Sequence, residues 1–299
     1  MISKRRTVLA ALLAPLIVVP TALAQQANPP LPDIRQLMTE VQAHQKQLEK
    51  VRENYTYNSL QTTQDIDQYG KVTKTESVEG EDFFVNGHVI ERTVKKNGQP
   101  LSGHDQDKET ERVTRLVEKA EKTPSDQPLQ GQTISISRVL EIMDVRNPRR
   151  DKFHGRSTIV FDFIGRKDAK THGMLEDISK KLEGTLWIDE ADRQVAHMEV
   201  RFNDNFRVAG GLFANIQKGS NLRFDQSAVN HPNDKDPSSG TPVSDGLWLP
   251  TGAEGSMQAR LLMVKNLRQH FVERDYDYKR FSVETQQVKD AKVVTQKAQ

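Results

Sequence analysis

From Gly184 to Phe202 the chain reads GTLWIDEADRQVAHMEVRF. Leu186, Ile188, Val195, Met198 and Val200 are apolar, and Asp189, Asp192, Arg193, His197, Glu199 and Arg201 stand between them in near alternation. A period of two broken by an acidic turn predicts two strands, with one face of the ribbon covered and the other wet. The same period recurs in RSTIVFDFIG (156–165), GLFANIQKG (211–219), LRFDQSAV (222–229) and a long ribbon from Gly246 to Tyr278. Nearer the N-terminus, YTYNSLQTTQ, KVTKTESVEG and EDFFVNGHVIERTVKKNG are rich in Thr, Val, Tyr and Phe. Asn86-Gly87 and Asn97-Gly98 punctuate them as hairpin turns, because both residue types tolerate positive φ.

Helical spacing is confined to a few places. After the Pro-rich NPPLP, Asp33 is a candidate cap, and Ile34, Leu37, Met38, Val41, Leu48 and Val51 predict an amphipathic helix over 34–53. HDQDKETERVTRLVEKAEK (104–122) offers only Val113, Leu116, Val117 and Ala120 to a core, so it predicts a mostly solvated helix. Shorter helices are expected from Ile134 to Met143 and within HGMLEDISKKL. TPSDQPLQGQ (123–132) reads as a loop, and NHPNDKDPSSGTPVSDG (230–246) as a long flexible connection. Gly210-Gly211 and Gly219 mark bends or a bulge in strands. Together these elements predict an α+β fold: a curved antiparallel sheet or half-open β-barrel with an N-terminal helix and short inserted helices. No repeat or composition break forces a second domain, so 33–283 is expected as one domain, with 25–32 a leader and 284–299 a flexible tail.

The first residues change the reading of charge. Lys4, Arg5 and Arg6 precede an apolar run from Val8 to Val19 and an Ala22-Leu23-Ala24 site, the layout of a cleaved signal peptide over 1–24. Arg5-Arg6 leaves the general and the twin-arginine export routes both open. Residues 1–24 contain no acid, so their removal takes the net charge from +2 to −1 and leaves no global basic field for nucleic acid. The chain has no cysteine, which excludes disulfides, thiolate metal sites and a cysteine nucleophile. No later apolar run reaches spanning length, so the mature chain is expected without a transmembrane span, periplasmic or secreted.

Candidate chemistry is sparse. The histidines His44, His88, His104, His154, His172, His197, His231 and His270 lack the spacing of a zinc-binding helix pair. Ser157, Ser220 and Ser256 lack the flanks of a nucleophile elbow, although a triad is defined by geometry and need not be local in sequence. Asn203-Asp204-Asn205 and Asn233-Asp234-Lys235-Asp236 offer oxygen ligands without the spacing of a calcium loop. No metal or other cofactor is implied. In RNPRRDKFHGR (146–156), Arg149 and Arg150 are candidates for a lipid phosphate head group, set against the reading of a solvated loop.

GTLWID (184–189) with VAHMEVRF after it, and DGLWLPTGAEGSMQAR (245–260), resemble the strand–acidic turn–strand units of the outer-membrane lipoprotein-sorting (LolA-like) superfamily. The paired LWID and LWLP strands, the NGQPL turn before a charged helix and the final DYKRF are similar to those of exported bacterial proteins of this kind. The resemblance covers most of the chain from Asp33 to Val283. It implies an incomplete barrel covered by helices, and a non-enzymatic envelope protein that binds a lipid, an acyl chain or a lipoprotein segment. On that reading Phe84, Phe161, Phe163, Leu186, Ile188, Met198, Val200, Trp248 and Met263 line the cavity. Two alternatives stand beside it: a structural or regulatory interaction domain of the envelope with a filled core, binding a protein partner, and an exported hydrolase. Whether an apolar space remains beneath the sheet separates the first two.

Overall fold

The computed structural model describes residues 30–280 apart from 126, 128, 130–135, 209–213, 229–230, 236–241, 244–246 and 263–264. The predicted signal peptide, most of the leader, the C-terminal tail and Met263 therefore lie outside the described residues. From Leu31 onward the chain forms one compact unit.

Helix α1 spans Ile34–Arg52, capped by Asp33, whose carboxylate accepts the amide of Gln36 at 2.9 Å. A meander follows: β1 (Tyr55–Ile66), β2 (Val72–Val85), β3 (His88–Lys96) and the two-residue β4 (Gln99–Pro100). Both Asn-Gly turns adopt positive φ at each central residue, as a two-residue hairpin turn requires. Helix α2 (Gly103–Lys122) is capped by Ser102 and buries only Ala120 fully. Helix α3 (Ile136–Ile142) leads directly into β5 (Met143–Phe153), paired with β6 (Arg156–Gly165). A short α4 (Met174–Ser179) precedes β7 (Leu182–Asp189) and β8 (Val195–Phe202); then come β9 (Phe206–Val208), β10 (Ala214–Ile216) and β11 (Asn221–Ala228). The expected flexible connection contains a small separate ladder of β12 (His231–Lys235) and β13 (Pro242–Val243), before the long β14 (Trp248–Leu261) and β15 (Lys265–Arg280).

Among the described residues the main sheet runs β4-β3-β2-β1-β15-β14-β11-β8-β7-β6-β5, with β10 joining β14 to β9. Its pairings are antiparallel and the sheet does not close, so the architecture is α+β with a curved, open sheet. One strand differs from expectation. RNPRRDKF, read as a loop, is most of edge strand β5, and its ladder shifts register between Arg146 and Arg149 to pass Asn147 and Pro148. An edge strand needs only one side paired, so charge and a proline at a bulge are compatible with it and protect it from further pairing.

Register shows which residues share a face. Phe161 lies opposite Leu186, Leu186 opposite Met198, Met198 opposite Phe224, Phe224 opposite Ala253, Ala253 opposite Glu273, and Glu273 opposite Gln61. One row thus crosses the sheet on a single face and changes from apolar to polar at β15. Helices α1 and α3 cover the apolar end. Helix α2 packs its Val113, Leu116 and Val117 with Phe83, Val85 and Ile90, on the opposite face of β2–β3.

Candidate functional site

The apolar end of the row is closed. Phe161, Phe163, Leu186, Ile188, Met198 and Val200 are between 0% and 8% exposed and form one cluster with Leu37 and Val41 of α1, Val139 and Leu140 of α3, and Met143. Six of the nine side chains expected to line a cavity are therefore packed with the protein's own helices. Those helices are tied down by polar contacts as well. Gln45 donates to Gln194 at 2.8 Å across a buried contact, Ser137 donates its amide and hydroxyl to Glu49 at 3.1 and 2.8 Å, and Lys46 meets Glu141 at 2.6 Å. Trp248 belongs to a second cluster with Leu48, Tyr55, Ala196, Leu247 and Leu249. Phe84 joins neither; its ring is tilted against Tyr57 at 6.4 Å.

The acidic turn of the opening ribbon is a hub. The Asp189 carboxylate accepts the amides of Ala191 at 3.1 Å and Asp192 at 2.8 Å, and Arg156 donates to both its oxygens at 2.5 and 3.0 Å. Asp189 is 1% exposed. Burial opposes its charge, but the Arg156 guanidinium and the turn amides outweigh that and hold its pKa below the ordinary value. Arg156 also bonds Asp192, which accepts from the Trp248 indole at 3.0 Å, and its guanidinium lies 5.3 Å from the Trp248 ring. The LWID and LWLP segments are thereby joined through one arginine.

At the polar end of the face that carries the apolar row, the chemistry is reversed. Tyr57 lies opposite Asp82, Asp82 opposite Glu91, and Ser59 opposite Asp275, so Tyr57, Ser59, Asp82, Glu91, Glu273 and Asp275 share one face of four adjacent strands. Positive φ at Asp277 accompanies a register shift that brings Tyr278 onto this face, stacked on Tyr57 at 4.9 Å. Asp82 is 5% exposed, and one of its oxygens, like one of Asp275, is buried without a hydrogen-bond partner. Burial pushes Asp82 up to about 7, against a hydrogen bond from Ser59, and neighbouring Glu91 and Glu273 add to the rise. Burial, then Glu273 and Asp82, pushes Asp275 up to about 8; Glu273 is raised too, by burial and by Glu91. Arg52, at the end of α1, is lowered by burial; it donates to the Trp248 carbonyl at 3.3 Å, while its Nε has no partner. Perturbed, unpaired carboxyls gathered on one face are the usual mark of a binding or reacting site. Sequence reasoning missed them because Asp82, Glu273 and Asp275 sit among other charges, and only the strand register separates them from their solvated neighbours.

The opposite face carries a groove of about 550 Å³ lined by charged side chains, including Glu183, Glu199, Arg201, Arg223, Glu254 and His270. These form a ladder of ion pairs: Arg201 with Glu183 at 2.8 Å and Arg223 with Glu254. His197 stacks on Phe153 and bonds Asp225 at 2.6 Å and Glu199 at 3.3 Å; burial disfavours its charge, but the two carboxylates prevail and raise its pKa. Ser256 lies 3.3 Å from His270, which is 3.5 Å from Glu254. Glu254 is already held by Arg223, so this carboxylate is engaged as a rung of the ladder. The expected head-group arginines are likewise engaged: Arg149 pairs with Asp162 at 2.9 Å and Arg150 with Glu190 at 2.7 Å. Asp204 bonds Lys181 at 2.9 Å, and no cluster of three or more metal-ligating side chains occurs among the described residues. Among them, too, no helix is long and apolar enough to cross a membrane.

No protein-family model matches the chain, and no curated protein matches it in sequence.

Proposed function

We propose that the protein is a non-enzymatic interaction domain of the bacterial cell envelope, exported after signal-peptide cleavage, whose apolar interior is scaffold rather than a lipid cavity. The observation that carries this reading is the closed cluster. Six of the nine residues that a lipid carrier of this shape would turn toward an acyl chain are packed in one cluster with α1 and α3. To admit a chain, the protein would have to separate those helices and expose buried aliphatic side chains, each worth roughly 1.5–3 kcal/mol when buried. Binding then falls to the half of the sheet where the interior face is polar, beyond the cluster that packs on α1 and α3.

The test is a fluorescent fatty-acid probe titrated into the folded exported protein, with phospholipid as competitor. The expected result is no saturable binding. Saturable binding that phospholipid displaces would overturn the scaffold reading and restore lipid carriage. Met198→Glu is expected to abolish folding, since it strands a carboxylate in a filled core.

A further inference from the structure

Resting on the interaction reading above, we propose that the acid–aromatic end of the inner face, formed by Asp82, Glu273 and Asp275 beside Tyr57, Phe84 and Tyr278, is a binding site for an alkylammonium group. Three independent features point to such a ligand. The first is the acids themselves, which stand on one face of β1, β2, β3 and β15 and form no ion pair with a basic side chain among the described residues. The second is Asp82. It is 5% exposed and keeps a buried oxygen with no donor, facing the Glu91, Glu273 and Asp275 carboxyls that bear on it and on each other electrostatically. A buried acceptor without a donor is costly, and a cation that supplies hydrogen bonds removes that cost.

The third feature is the wall. Tyr57 stacks on Tyr278 at 4.9 Å, and Phe84 lies tilted against Tyr57 at 6.4 Å. Aromatic faces beside carboxylates are the chemistry that favours an organic ammonium over a bare metal ion, through the ring quadrupole and the burial of alkyl carbon. No group of three or more acidic or histidine side chains that could hold a metal ion occurs among the described residues. Exposure is graded: Glu91 is exposed, Glu273 and Asp275 are half-buried, and Asp82 is buried. Gly80 sits on the same face, and a Cβ there would lie 2.9 Å from both Ser59 and Glu91 side-chain atoms, so glycine lets those side chains close over the strand. The groups that bear on Asp82 are Ser59 and Tyr57 from β1, Glu91 from β3, and Glu273, Asp275 and Tyr278 from β15. Arg52 from α1 bears on Tyr278. A cation entering this set would displace a proton from the acids.

The ammonium can belong to a free amine or to a lysine side chain of a partner. Calorimetric titration of the exported protein near pH 7 with 1,5-diaminopentane, and separately with an acetylated, amidated Gly-Lys-Gly peptide, distinguishes the two. At least one is expected to bind saturably, with proton release seen as a dependence of the heat on the buffer's ionisation enthalpy; calcium chloride and sodium chloride at matched ionic strength are expected not to. Asp82→Asn is expected to weaken that binding at least about tenfold while retaining the wild-type circular dichroism and a cooperative thermal transition at or above that of wild type. Glu273→Gln, at a half-buried position, serves as the second variant. Failure of both amines to saturate in the low millimolar range overturns the proposal, as does affinity unchanged in both variants. Neither failure touches the interaction reading, which the acyl-chain probe tests by itself.

Discussion

Two regions of the sheet treat carboxylates in opposite ways. Around β6–β8 the buried acid, Asp189, has Arg156 on both oxygens and two turn amides behind it, and its pKa is depressed. Around β1, β2 and β15 the buried Asp82 and the half-buried Asp275 each have one orphaned oxygen, no basic partner among the described residues, and pKa values raised to about 7 and 8. Burial pushes both sets the same way; the difference lies in what else each carboxylate touches. A structural acid is one whose partners outweigh its desolvation. The orphaned set instead costs the free protein stability.

The contrast is broken most completely by charging the apolar end, as with Met198→Glu. Truncations there come next. Leu186→Ala is expected to cost about 2–5 kcal/mol, the range for emptying a buried leucine site, measured by chemical denaturation. Gly184→Ala is expected to cost about 3 kcal/mol, because its Cβ would fall 1.8 Å from the Glu199 carbonyl oxygen across the strand pair. Asp189→Ala, which leaves two turn amides without their acceptor and Arg156 with only Asp192, is expected to cost less, about 1–3 kcal/mol.

The acid dependence of stability sharpens the comparison. Asp189 titrates lower in the folded protein than in the unfolded chain, so its contribution is present above about pH 4 and is lost as pH falls through the folded value. Asp82 and Asp275 run the other way. Between their ordinary 3.8 and the folded 7 to 8, the native state holds protons that the unfolded chain has released, so stability falls as pH rises through that window and levels above it. Denaturation midpoints of wild type and Asp82→Asn measured from pH 4 to 9 should therefore diverge in favour of the variant as pH rises. Parallel curves would mean that Asp82 ionises normally. The smallest effect is expected on edge strand β5, where Arg149→Ala should change stability by less than about 0.5 kcal/mol, since both it and Asp162 are substantially exposed.

Local pattern alone determined much of this architecture. The alternation in GTLWID and VAHMEVRF gives β7 and β8, the two Asn-Gly turns are where the chain reverses, Asp33 caps α1, and the sparse apolar stripe of the charged segment becomes α2 with only Ala120 fully buried. Each follows from contacts within a few residues, which sequence periodicity records directly. Three features belong to the tertiary structure. Strand β5 reads as a loop because an edge position permits charge and proline that a central strand would not. Whether Leu186 and Met198 face a cavity or a core depends on α1 and α3 lying over them, and an apolar face looks the same in sequence under either cover. The acid–aromatic cluster joins Tyr57 and Asp82 to Glu273 and Asp275, from opposite ends of the chain, through the β1–β15 pairing. A one-residue slip in that register would turn these acids out to solvent, so their burial, their raised pKa values and their lack of partners are properties that no single segment of the chain carries.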